Sequence, residues 1–310
     1  MRGFITYFQE KEYTMSDYEI KIYEKGFEDA QAKLGTNVTQ DWTDFGQTTA
    51  EQLKVYYTRD DFDPETRLYA FKDGELVSFI VSRILPDAED GIKRAQHDFP
   101  LYTKGNEKAA ELLYEKAVKV LKKKGVQVLE ARVGKGWLGT LDLAEKYGYK
   151  KARVSFMRIE LELDDIEVKD AEVKYENFDP EKDKEQIIQM FKDRFNFTDE
   201  QAETNFDGIV NPPEGWYAMP ILREGDKIIS RGLLYIQPEP NQENAIFRSL
   251  IPDPEKHFDS YLSMITKIAK EKGAKRFQLY LGGPNLEQKD FFKSVGFDVK
   301  GKVLIFEKEI

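Results

Sequence analysis

The chain repeats itself. The run Val118 to Gly125 reads like Thr266 to Gly273, so that Gly125 and Gly273 stand 148 positions apart. Tyr147-Gly148-Tyr149 matches Val295-Gly296-Phe297 at the same offset, and Glu107-Lys108 matches Glu255-Lys256. Nearer the start, Ile22-Tyr23-Glu24 resembles Lys174-Tyr175-Glu176, 152 apart, a drift that small loop differences explain. A period this long is the size of a domain, not of a solenoid turn. Half of 310 residues is enough chain to bury a core. The repeat therefore predicts two similar domains, 15–165 and 166–310. They join through the short acidic stretch Leu163 to Glu167, with residues 1–14 as an extension outside the fold.

Both copies show one order of elements. In the second, the pattern predicts a strand over Ala171 to Phe178. A helix then opens at Asp179-Pro180-Glu181, with an N-cap carboxylate, proline at the first helical position and acid in the first turn. Strands follow over Trp216–Arg223, Lys227–Ile236 and Ala245–Ile251. A helix from His257 to Lys272 is stopped by Gly273, with apolar residues at helical spacing from Tyr261 to Ala269. A strand over Phe277–Leu281, a helix over Leu286–Val295 and a hairpin-like stretch over Phe297–Lys308 complete it. The first copy repeats this with Arg67–Lys72, Leu76–Leu85, Gly105–Lys124, Val126–Val133, Leu141–Tyr147 and Ala152–Leu163.

Composition removes several chemistries. There is no cysteine, hence no disulfide, thiolate nucleophile or Cys-ligated metal, and only two histidines, His97 and His257. No G-x-S-x-G elbow accompanies either histidine. Sixteen Tyr, 21 Phe and 3 Trp demand a packed interior. No apolar run reaches the roughly 18 residues of a membrane span, and the N-terminus lacks a signal-peptide core, so the expected location is cytoplasmic without membrane association. A net charge of −10 counts against a nucleic-acid partner, and against transfer from a charged tRNA. The basic excess within 101–150 reads either as a phosphate-facing patch or as a solvated helix face.

A mixed sheet in this order, followed by strand–helix–strand–helix–strand with a Gly-aromatic pair before the last strand, resembles the GNAT acyltransferase superfamily, twice over. The resemblance implies an α/β (α+β mixed-sheet) fold of two tandem GNAT-like acyl-CoA N-acyltransferase domains. It also implies acetyl-CoA or another acyl-CoA as cofactor, its pyrophosphate on a loop patterned Arg/Gln-x-x-Gly-x-Gly/Ala at a helix start. Backbone N–H groups and the helix dipole favour an anion there. In the first copy that loop is Lys104, Gly105, Asn106, Glu107, Lys108 and Ala109, with Glu107 standing where the pattern has glycine. The second copy has Asp253 to Phe258, with Pro254 removing an N–H donor, so it is expected to be a degenerate loop. The family's Asn after the fifth strand corresponds to Asn285. Its general-acid Tyr, seven residues on, corresponds to Phe292, and in the first copy to Ala144, so neither copy has that phenol. Tyr147 and Tyr149 lie nearby and are expected to pack in the core.

As catalytic base, His97 and Asp98 stand beside the cofactor loop; adjacent strand residues face opposite sides, so one of the two can reach a cleft. Glu130 and Glu243 are weaker candidates. Gly134, Gly136 and Gly139 spell G-x-G-x-x-G after a strand, but a dinucleotide fingerprint belongs near the start of a βαβ unit, not at its end. The expected function is N-acetyl transfer from acyl-CoA to a small-molecule or peptide amine. The alternative is a non-catalytic GNAT-like ligand- or protein-binding protein. Oligomeric state stays open.

Overall fold

Four glycines account for the 148-residue period. Gly125 and Gly273 take φ of +80° and +82°, Gly148 and Gly296 +74° and +108°. After each, the next amide reaches back along the helix: Val126 N–H to Leu121 O at 3.1 Å and Ala274 to Ala269 at 3.0 Å, Tyr149 to Ala144 at 2.9 Å and Phe297 to Phe292 at 3.0 Å. This is the left-handed helix ending that glycine permits. Two helices per repeat stop by the same device at the same offset.

The computed structural model describes residues 17–46, 48–167, 172–211, 215–238, 241–253 and 255–310. The expected extension 1–14, Pro254 and Ala171 lie outside the described residues. By contacts the chain divides into a unit 1 that runs to Ser155 and takes in Val303–Ile310, and a unit 2 of Phe156–Lys302.

Unit 1 runs β1 (Glu19–Ile22), α1 (Glu28–Thr39), α2 (Ala50–Tyr56), β2 (Arg67–Lys72), β3 (Glu75–Ile84), β4 (Arg94–His97), β5 (Leu101–Tyr102), α3 (Glu107–Lys123), β6 (Val128–Gly134), α4 (Thr140–Lys146) and the start of β7 (Lys150–Glu162). Unit 2 continues with β8 (Glu176–Asn177), α5 (Pro180–Phe195), α6 (Asp199–Val210), β9 (Trp216–Ala218), β10 (Pro220–Glu224), β11 (Lys227–Ile236), β12 (Asn244–Ile251), α7 (Phe258–Glu271), β13 (Arg276–Gly282), α8 (Lys289–Ser294) and most of β14 (Asp298–Glu309). As the sequence predicts, Asp179 caps α5, its carboxylate accepting from Glu181 and Lys182 N–H. The stretch expected to be hairpin-like is one strand, β14.

In unit 1 the strands lie β1-β2-β3-β4-β6, antiparallel except for the parallel pair β4–β6. The far edge of β6 pairs antiparallel with residues 303–309 of β14. In unit 2 the order is β8-β10-β11-β12-β13, with β12–β13 parallel, and β13 pairs with residues 156–162 of β7. Each repeat's last strand therefore completes the other unit, whereas a division at 165/166 would keep each at home.

Alternation decides which face each side chain takes. Leu68, Ala70, Ile80, Ala95, Leu129 and Ala131 pack under α3 in the larger unit 1 core, which Phe306 of β14 joins. Tyr69 and Phe79 turn to the other face, against Leu34 of α1. Unit 2 packs α5 and α6 on Met219, Ile221 and Ile228 of its sheet. The lysines of α3 are mostly solvent-facing, with Ala109, Leu113, Tyr114, Ala117 and Leu121 beneath, so the basic excess of 101–150 is largely a solvated helix face.

Candidate active site

A cleft of about 1330 Å³ opens on the α1 face of unit 1, lined by unit 1 residues. At one part of its wall are Tyr102, Lys104 and Glu107, where α3 begins; elsewhere Trp42, Tyr57, Phe62 and Trp137 supply aromatic surface. Between lies the point where β4 and β6 part.

That parting has a clear origin. The parallel ladder runs from Arg94↔Val128 to Gln96↔Glu130 and no further. On the other side of β4, Ser82 of β3 pairs with His97, while Phe79 pairs with Leu101 of β5. Between these pairs two residues of β3, Ile80 and Val81, face three of the other strand: an extra residue sits within Asp98-Phe99-Pro100, a bulge that re-aims the chain beyond it.

Parity then separates the two candidate bases. His97 turns to the core, fully buried, with Nδ1 at 2.8 Å from Ser82 Oγ and its ring against Tyr114. Burial lowers its pKa to about 4, so the ring is neutral. It does not line the cleft. Asp98 does, 28% exposed, but it is spoken for. Its Oδ1 accepts from Arg132 N–H at 2.9 Å, and its Oδ2 from Arg132 Nη2 at 2.6 Å and from Gln96 Nε2 at 2.9 Å. Although burial opposes ionisation, the Arg132 charge and these donors hold the carboxyl below the usual carboxylate range. Asp98 therefore bridges the gap where the ladder stops. Glu130 is buried and ion-paired to Arg153 at 2.7 Å, and Glu243 pairs with Lys275 at 3.1 Å.

The loop before α3 fits an anion in most respects. Gly105 has φ of +88° with open space where a side chain would stand. Lys104 lines the cleft, Ala109 is fully buried, and α3 is 17 residues long, enough for a substantial dipole. Asn106 caps the helix by position only: its Nδ2 donates to Thr103 Oγ1 at 2.9 Å and its Oδ1 accepts from Tyr18 at 3.3 Å. Lys108 pairs with Glu111 at 3.3 Å. Against this, three of the loop's N–H groups are already taken: that of Gly105 by Glu107 Oε1 at 3.1 Å, that of Asn106 by Thr103 O at 3.1 Å and that of Ala109 by Asn106 O at 3.0 Å. The N–H groups of Gly105, beside the cleft, and of Arg132, in its wall, thus already hold carboxylates. In unit 2, Asp253 Oδ1 takes the N–H groups of Glu255 and Lys256 at 3.0 and 3.2 Å. Asn285 sits in unit 2 on the turn Gly283–Gln288, contacted by Gln288 and Arg194, and does not line the cleft.

Ala144 and Phe292 are both fully buried. Tyr147 stacks on Tyr114 at 3.7 Å, and the Tyr114 and Tyr149 hydroxyls are 3.3 Å apart, so these phenols pack as expected. The G-x-G-x-x-G glycines also serve packing. A side chain on Gly134 would meet the Trp137 ring at 2.7 Å, and one on Gly136 would meet Thr43 Oγ1 at 2.0 Å. Trp137 is held there by its Nε1–H on Thr43 O at 2.7 Å and by stacking on Trp42.

Sequence reasoning passed over Arg67 and Arg132. The signal was present for Arg132: a charge at one parity of a strand whose other parity is Leu129, Ala131 and Val133.

No protein-family model matches the chain, and no curated protein matches it. Solved structures do. A tandem GNAT protein from the clavulanic acid biosynthesis pathway is 12% identical, with 94% of this chain and 98% of that one covered and a TM-score of 0.62. A GNAT-family acetyltransferase of Colwellia psychrerythraea is 13% identical, covering 93% and 99%, at 0.59. A GCN5-related N-acetyltransferase of Sphaerobacter thermophilus is 14% identical, covering 94% and 96%, at 0.55. With its bulged fourth strand, parted parallel pair and doubled topology, the chain has the GNAT acetyltransferase fold, in tandem.

Proposed function

We propose that this chain is an acyl-CoA-dependent N-acyltransferase, with unit 1 taking both the acyl donor and an amine acceptor and unit 2 lacking a working cofactor loop. The observation that carries this is one continuous cleft that reaches from Lys104 and Glu107 at the start of α3, past the parting of β4 and β6, to an aromatic wall. An acyl-CoA supplies an activated acyl carbonyl and a thiolate leaving group. In this reading the Lys104 ammonium and the first backbone N–H groups of α3 hold its diphosphate at the helix dipole, Gly105 leaving room for its approach, with the Glu107 carboxylate turning aside. Asp98 and Arg132 position the reacting end. Asp98, held ionised by five donor contacts, is a weak base, so the acceptor amine gives up its proton to water in the open cleft. Acetyl-CoA is the first donor to try, the acceptor is a small-molecule or peptide amine, and the proposed location is the cytoplasm.

A second reading, a non-catalytic ligand-binding descendant, is favoured by one observation: carboxylates already sit on the Gly105 and Arg132 N–H groups. Calorimetric titration with acetyl-CoA and CoA separates the two. Micromolar binding, with acceptor-dependent thiol release, supports transfer. With no cysteine in the chain, a thiol reagent reports released CoA alone. No heat up to millimolar ligand turns the assignment to the second reading.

A further inference from the structure

Arg67 opens β2 at the cleft-facing parity, next to the aromatic wall. Its guanidinium lies over the rings of Phe62 and Tyr57, at 5.3 and 5.8 Å. Nη1 donates to Thr66 Oγ1 and to the carbonyl of Ser82, while Nε is buried without a hydrogen-bond partner. Among the described residues no carboxylate makes an ion pair with Arg67. Asp63, the acid near it, is bound to Lys124 at 2.7 Å. A cation taken this far out of water is ordinarily paired, because desolvation without a counter-charge is costly. Here the guanidinium lines an open cleft instead.

The sheet supplies the rest of the geometry. Arg67 pairs with Val81. Since Ser82 pairs with His97, the next step along puts Val81 level with Asp98. Arg67 and Asp98 thus stand in one row across the cleft face, two strand spacings or about 10 Å apart at the backbone. Arg83 lines the same cleft two residues beyond Val81 and likewise has no ion pair among the described residues. Gln31, beneath the wall, is buried, and its Oε1 accepts both phenol protons of Tyr57 and Tyr69, at 2.9 and 2.6 Å, which fixes the two phenols in the wall.

We infer that the acceptor of unit 1 carries a carboxylate as well as its amine. An amino-acid-like molecule would seat its carboxylate on Arg67, with Arg83 at hand, and lie along the wall of Tyr57 and Phe62 with its amine toward Asp98. A monoanion suits one guanidinium whose Nη1 is already engaged. This rests on the acyltransferase reading only for the fate of the amine, not for the binding.

The test uses matched amines on the full chain: L-phenylalanine against 2-phenylethylamine and L-lysine against cadaverine, each titrated calorimetrically, with O-phosphoethanolamine beside them. In at least one pair the carboxylate-bearing member should bind ten times or more tighter. Arg67→Gln should erase that preference while CoA affinity and the unfolding transition stay within twofold and a few degrees. Because Arg67 also holds Ser82, Arg83→Gln, an exposed change, is the second variant and should reduce the preference severalfold. Equal binding within both pairs, no binding of any amine at 10 mM, or a preference for the phosphate ester alone overturns the inference. If the carboxylate preference holds while CoA gives no heat, the acyltransferase reading fails and this one stands; the converse result removes this one alone.

Discussion

At Glu107 a carboxylate does what a bound phosphate would do, accepting the Gly105 N–H in front of a helix dipole. A phosphate charge about 6 Å away would feel a repulsion of about 0.7 kcal/mol in water and about 2.8 at an effective dielectric of 20, the exposed side chain keeping it near the lower figure. Glu107→Gly should therefore tighten CoA three- to tenfold, about 0.7–1.4 kcal/mol, and Lys104→Glu should weaken it by as much, more so at low salt. Calorimetry on the two variants reads both, and unchanged affinities would return this loop to a plain helix start. His97 makes a different prediction. In the unfolded chain it protonates near its ordinary 6.5, in the fold only near 4, so as pH falls between those values the unfolded state gains protons that the native state refuses. Stability contributed by the neutral ring is complete above 6.5 and lost on the way to 4, about 3 kcal/mol in all. Urea unfolding at pH 7 and pH 4.5 should show that loss, and His97→Leu should flatten it at a cost of about 1 kcal/mol for the stranded Ser82 hydroxyl. An equal slope in the variant would mean that another group titrates.

Among the elements, the β6-to-α4 connection turns on two glycines with unequal tolerance. A methyl on Gly134 would press into the Trp137 ring, which is stacked on Trp42 and pinned to Thr43 O. A methyl on Gly136 meets the Thr43 hydroxyl, which a turn about χ1 removes, and the Thr43 Cβ at 3.2 Å, which must give by a few tenths of an ångström. Gly134→Ala should cost about 2–3 kcal/mol and shift the tryptophan fluorescence, and Gly136→Ala about 1; comparable losses would show that the Trp137 contact is not what requires Gly134. Sequence pattern alone located this connection, its strand and its helix, because turn and period are local properties. It also located the α3 start and the phenols that pack. It could not choose between His97 and Asp98, since alternation gives two faces without saying which one meets helix α3. Nor could it find the Asp98–Arg132 bridge, whose partners are 34 residues apart and meet only after a bulge has set the strand's phase.

Across the whole molecule, the repeat was legible and the ownership of the last strands was not. Ala152–Leu163 and Phe297–Lys308 occupy matching places in the two copies, and nothing local distinguishes pairing with the strand of one's own copy from pairing with the other's. In unit 1 the role falls to residues 303–309, which bond to β6 along its length and bury Val303 and Phe306. A chain stopped at Lys302 should thus injure the repeat it does not belong to. Burial of those side chains is worth about 4–6 kcal/mol, comparable to the whole stability of a small domain. The expected outcome is loss of amide protection in β6 and of ligand binding in the cleft; a truncated protein with an intact unit 1 would contradict it. The same exchange sets a clock on biosynthesis. The first unit to leave the ribosome cannot close its sheet until Val303–Ile310, a whole unit further along the chain, have been translated. At roughly 5–20 residues per second, β6 waits for seconds to tens of seconds with a bare edge, so the nascent chain should depend on chaperones more than two self-contained domains in sequence would.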